Sequence, residues 1–107
     1  MSHSIFHATL DRKMNTMKFA IIWTVSPENR NAVQERFMET GGLPPEGVEM
    51  IHRFHAADGS MGLAICNATE GSALANWSQE WSDLIDLDIT PIVSDEEMAS
   101  ILDAQSA

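Results

Sequence analysis

The sequence predicts an α+β domain whose elements run strand, helix, strand, strand, helix, strand and a closing helix. Two patterns carry this reading. Four runs have the apolar, β-branched and aromatic content of strands, and two stretches of helical period fall between them so that the middle two runs are left adjacent. A third observation is the Asp58-Gly59 dipeptide between those adjacent runs, which a tight hairpin turn favours.

Residues 1–16 follow neither period and read as a loose N-terminal extension to a single domain over residues 17–107, with Met17 standing where the pattern begins. The first strand covers 18–25. Ser26-Pro27 then opens a helix to about Thr40, with Ala32, Val33 and Phe37 on its apolar stripe. Gly41-Gly42 stops that helix, and Pro44-Pro45 stiffens the loop that follows. Residues 48–57 and 60–68 form the hairpin. If Asp58 and Gly59 are its two-residue loop, His55 stands opposite Gly62, Arg53 opposite Ala64 and Ile51 opposite Cys66, while Phe54 pairs with Leu63 and His52 with Ile65. Residues 69–72 open a second helix to about Leu84, with Leu74, Trp77 and Trp81 on one side. The fourth strand covers 86–93, and Pro91 places it at a sheet edge. Ser94-Asp95-Glu96-Glu97 is a capping box, so a last helix follows with Met98, Ile101 and Leu102 on one face. This order is the ferredoxin-like βαββαβ pattern, two helices on one face of an antiparallel sheet, with a C-terminal helix added.

A chain of 107 residues has room for one small domain, and 44% hydrophobic content is enough for a core. The formal net charge of -10 repels nucleic acid and anionic membranes, so neither is expected as a partner. One cysteine allows no internal disulfide, which fits a reducing compartment. The sequence contains neither the apolar run of a membrane span nor, at its start, that of a signal peptide, so a cytoplasmic protein is expected.

Assigning strand faces by bulk puts Phe19, Ile21, Trp23, Phe54, Leu63, Ile65, Leu87 and Ile89 under the helices. The opposite face then collects Ile22, Thr24, Ile51, Arg53, His55, Gly62, Ala64, Cys66, Asp88, Thr90 and Ile92. That face is too apolar to stay in water, so a homodimer with the two sheets facing each other is expected. The small Gly62 and Ala64 beside the long Arg53 and His55 leave room for a polar cavity on this open sheet face.

Arg53 and His55 are two residues apart on a strand and point the same way. Arg53 can orient a carboxylate or an oxyanion, and His55, whose side chain is suited to general acid–base work, can move a proton; these two are the catalytic candidates. The plainer reading is that they line a polar rim or bridge the dimer. Thr24, Cys66, Asp88 and Thr90 complete the proposed ligand-binding wall. Asp88 either holds His55 in one tautomer across the dimer or is a solvated edge carboxylate, and Cys66 reads as packing rather than as a thiolate. His52 reads as a core histidine. It lies three residues from His55, so the two point to opposite faces, and His3 and His7 sit in the extension with no other ligands near; no metal site is expected. The three tryptophans read as core rather than as an aromatic ligand box, and the Gly41 to Gly47 loop as a rigid connection rather than a lid.

Trp23-Thr24 followed by Pro27-Glu28-Asn29-Arg30, then Gly41-Gly42-Leu43-Pro44-Pro45-Glu46-Gly47-Val48, Arg53-Phe54-His55 and Trp77-Ser78-Gln79-Glu80-Trp81-Ser82-Asp83-Leu84, resembles the small bacterial proteins called domain of unknown function 3303, over roughly residues 17–102. The resemblance implies membership of the dimeric α+β-barrel superfamily, whose relatives include cofactor-free monooxygenases, muconolactone isomerase-type enzymes and stress-response binding proteins. It implies the fold and the dimer and names no reaction.

The expectation is therefore a homodimer that binds a small organic metabolite in its inter-sheet cavity. As an enzyme it would work without a cofactor, by proton transfer on, or oxygenation of, an activated carbonyl or phenolic compound, with His55 as base and Arg53 stabilising the oxyanion. The alternatives are a non-catalytic sensor or carrier, and a structural dimerisation module whose sheet face is filled by the partner subunit.

Overall fold

The computed structural model describes residues 16–106. The expected extension, with His3 and His7, lies outside the described residues but for Thr16. In chain order come β1 (Met17–Thr24), a 3-10 turn (Pro27–Asn29), α1 (Arg30–Thr40), β2 (Val48–His55), β3 (Met61–Ala68), α2 (Gly71–Trp81), β4 (Asp86–Ile92) and α3 (Asp95–Ser106). The strands form one antiparallel sheet in the order β2-β3-β1-β4, the ferredoxin-like arrangement the sequence predicts. Pro91 lies on β4, an edge strand, where its missing N–H interrupts no second ladder.

Local chemistry fixes the ends of the elements. The Gly41 N–H closes α1 on the Phe37 carbonyl at 2.7 Å. At α3 the capping box is reciprocal: the Glu97 N–H donates to Ser94 Oγ and the Ser94 N–H to Glu97 Oε1, both at 3.1 Å. The hairpin keeps its predicted register at His55–Gly62, Arg53–Ala64, Phe54–Leu63 and His52–Ile65, but not at Ile51, where a bulge pairs Met50 with Cys66 instead. Its turn is not the two-residue loop expected. Gly59 alone has positive φ, at 76°, and its N–H donates to the Ala56 carbonyl at 3.0 Å, whereas a type I′ turn needs positive φ at Asp58 as well. Asp58 instead accepts the Ser60 N–H at 3.0 Å, a side-chain turn that leaves the register intact.

The main correction concerns which side of the hairpin lies under the helices. Ladder partners share a face, and β3 docks on β1 with Phe19 opposite Cys66, Ile21 opposite Ala64 and Trp23 opposite Gly62. The small residues of β3 therefore lie beneath the helices with Arg53 and His55, while Phe54, Leu63, Ile65 and His52 lie on the open face with Ile22, Asp88 and Thr90. His52 is exposed there and stacks on Phe54 at a centroid distance of 6.1 Å, so it is not a core histidine. The physical reason is size matching. The Trp23 indole takes the space a Cβ at position 62 would need, and the small Ala64 and Cys66 lie beside the bulky Ile21 and Phe19, so the core is built from Phe19, Ile21, Val48, Ala64, Cys66, Ala68 and Leu74. Among the described residues, no helix is long and apolar enough to cross a membrane.

Candidate functional site

The helices do not press evenly on the sheet. α2 buries Leu74 against the core, whereas α1 buries none of its residues, although Val33 and Phe37 face inward. Beneath the two helices this leaves a cavity of about 440 Å³, inside the range of roughly 300–1,000 Å³ that small-molecule sites occupy. Its floor is Ile21, Trp23, Ala64, Leu87 and Ile89 of the sheet, and its helix walls bring Val33, Phe37, Trp77 and Trp81. All three tryptophans of the chain line it. Trp23 and Trp77 also pack against the core, as the core reading expects, and that reading does not distinguish the two roles, because a helix stripe of aromatics looks the same whether it closes on the sheet or stands off from it. The size alternation along β3 was the available signal.

Arg53 and His55 both line the cavity, so the structure brings the two catalytic candidates together, but on the helix side and not on the open sheet face. The Arg53 Nη1 donates to the Gly42 carbonyl at 2.7 Å and Nη2 to the Gly41 carbonyl at 3.2 Å, with the guanidinium carbon 4.9 Å from the Phe37 ring centre. A cation thus closes the carbonyl end of α1 and fixes the loop that follows. His55, exposed at the end of β2, meets Trp23 edge-on at 5.8 Å and Phe37 at 5.3 Å. Two aromatic edges hold the imidazole at the rim of the cavity.

The other four expected wall residues lie elsewhere. Cys66 is fully buried in the core, where loss of water pushes its thiol pKa up against the opposing pull of the Arg53 charge; this is the packing role expected of it. Thr24 sits at the open end of β1 in a shallow polar recess with Ser26, Asn29 and Asp83. Asp88 and Thr90 stand on the open face, joined by a 3.3 Å hydrogen bond from Thr90 Oγ1 to Asp88 Oδ1. Within one chain Asp88 therefore does not orient His55, since the two side chains leave the sheet on opposite faces.

A polar strap ties the roof of the cavity together. Arg36 of α1 donates from Nη1 and Nη2 to the two carboxylate oxygens of Asp83 at 2.8 Å, from Nη1 to the Glu80 carbonyl at 2.8 Å, and lies 5.5 Å from the centre of Trp81. These bonds hold the Asp83 carboxyl below the usual range and raise Arg36 above its own. Asn29 Nδ2 adds a bond to the Leu84 carbonyl at 3.0 Å. The helices are thus fastened to each other at the surface while the space below them stays open. Among the described residues no three of His, Cys, Asp and Glu come together as a metal cluster.

No curated protein matches the chain. Residues 17–106 match the family model described as domain of unknown function (DUF3303), and the chain belongs to that family.

Proposed function

We propose that this protein binds a small organic metabolite in the cavity between its sheet and helices, and that it does so as a homodimer in a reducing, cytoplasmic setting. The observation that supports this reading is a cavity of about 440 Å³ lined by three tryptophans, with Arg53 and His55 among its few polar groups. A mostly apolar space with a small number of fixed polar groups is what a small-molecule site consists of. The homodimer rests on a different face. Ile22 is 43% and Phe54 59% exposed on the open side of the sheet, next to Leu63, Ile65 and Ile92, an apolar surface that a second copy of the chain can cover.

Between the catalytic and non-catalytic readings, the bonds of Arg53 favour a sensor or carrier. An oxyanion stabiliser needs donors aimed at the reacting atom, and two of the Arg53 nitrogens are already engaged by the Gly41 and Gly42 carbonyls. In the enzymatic alternative, a cofactor-free monooxygenase or isomerase, His55 alone moves the proton. A purely structural dimerisation module is disfavoured by an open cavity that such a role leaves unused.

Native mass spectrometry of the protein as isolated from cells, compared with a denaturing spectrum, tests the reading. The expected result is a dimer that retains a small molecule, with retention lost in Val33→Trp, which fills the cavity from α1. A monomer, or a dimer that carries nothing and binds nothing from a cell extract, overturns it.

A further inference from the structure

We propose that the occupant of the cavity is an organic anion with a planar apolar body, whose charge is met by the guanidinium groups of Arg30 and Arg53 on the cavity wall. This rests on the cavity reading above and names the class of ligand.

The charge and the shape of the cavity walls point to it. Arg30 lines the cavity from the first turn of α1 and Arg53 from β2.

The chain has sixteen Asp and Glu against six Lys and Arg. Among the described residues, two arginines, Arg30 and Arg53, and no carboxylate line the cavity. An acidic protein has thus kept its acids off this wall and placed cations on it. Asp58 feels the charge of Arg30, but its oxygen accepts the Ser60 N–H and makes no ion pair with the guanidinium. An apolar enclosure excludes a lone anion, because desolvating the charge is too costly; one walled by arginines admits it. The aromatic walls, Trp23, Phe37, Trp77 and Trp81, suit a flat ring system.

The test compares 2-naphthoate with 2-naphthamide, which share a ring system and differ in charge, by quenching of the intrinsic tryptophan emission. Every tryptophan lines the cavity, so the signal reports occupancy of this site. The naphthoate is expected to bind at least about tenfold more tightly, the factor that one charge-assisted hydrogen bond supplies. The preference should shrink to about threefold or less in Arg30→Met. Equal binding of the two probes, or a preference that survives in Arg30→Met, overturns the anion assignment and leaves the cavity reading standing. Failure of both probes to bind overturns both. The wild-type comparison stands without any variant, so poor folding of Arg30→Met does not decide the matter.

Discussion

The indole of Trp23 fills the space where any residue other than glycine at position 62 would place its Cβ. The two stand opposite each other in the β1–β3 ladder, so the glycine is what lets the ring lie flat across the neighbouring strand and wall the cavity. Gly62→Ala should force the indole off β3 and into the cavity. Overpacking of this kind costs about 1–3 kcal/mol. Urea unfolding should show that loss, and the folded-state tryptophan spectrum should change with it. A variant of wild-type stability and unchanged emission would mean that the ring does not depend on Gly62.

The same pair marks where the sequence was readable and where it was not. Element order, the edge position of Pro91 and the Ser94–Glu97 cap follow from local signals, and the structure has them all. The hairpin register followed from the turn, even though Asp58 and Gly59 do not form the turn type assumed. The face of the hairpin did not follow, because alternation gives the period of a strand and not its sign. Placing Leu63 and Ile65 inward is right for a sheet whose neighbour strand is slim. Here the bulky Phe19, Ile21 and Trp23 stand opposite Cys66, Ala64 and Gly62, and the Trp23 indole leaves no room for a side chain at position 62. Bulk alone therefore predicts the pairing of Arg53 and His55 on one face but puts that face on the wrong side of the sheet. That Arg30 stands on a cavity wall free of carboxylates is a property of packing and leaves no mark on spacing.

Arg53 holds the loop after α1 by two bonds and a ring contact, so its first role is positional. Arg53→Lys keeps the charge but not the planar fork. We expect a loss of about 1–3 kcal/mol in unfolding free energy and faster amide exchange across residues 41–47. Unchanged exchange there would remove the claim that Arg53 sets this loop.

The strap between Arg36 and Asp83 gives the protein an acid-sensitive joint. The Asp83 carboxyl is lowered in the folded state by the Arg36 hydrogen bonds, so it binds its proton less readily there than in the unfolded chain. Its stabilising contribution is complete above the ordinary carboxylate pKa and disappears as pH falls through the depressed folded value. Denaturant midpoints followed down the acid limb should fall more steeply for the wild type than for Asp83→Asn, which lacks the titrating group. Parallel limbs would show that the strap contributes nothing.

Burial of Cys66 makes the opposite prediction at high pH. Its side chain is 0% exposed and its thiol is pushed up by loss of water, so the folded state holds the proton more tightly than the unfolded chain does. The contribution is complete below the ordinary thiol pKa and is lost as pH rises through the folded value. A thiol reagent should label the native protein slowly and the urea-unfolded protein at once, at a rate set by opening rather than by thiolate content. Rapid native labelling would place Cys66 at a surface and undo its place in the core.

The cavity and the open sheet face lie on opposite sides of the sheet, so assembly and binding should be separable. Ile22 and Phe54 stand on the open face, away from every tryptophan, and a charge at position 22 would be desolvated wherever a second sheet covers it. Sedimentation velocity of the wild-type protein should give a dimer, and Ile22→Glu a monomer with native circular dichroism. That monomer should still bind 2-naphthoate within about threefold of the wild type, because an exposed substitution away from the cavity changes its packing little. Loss of binding together with the dimer would show that the partner subunit completes the site. A wild-type monomer would show that the apolar open face needs another explanation than a second copy of this chain.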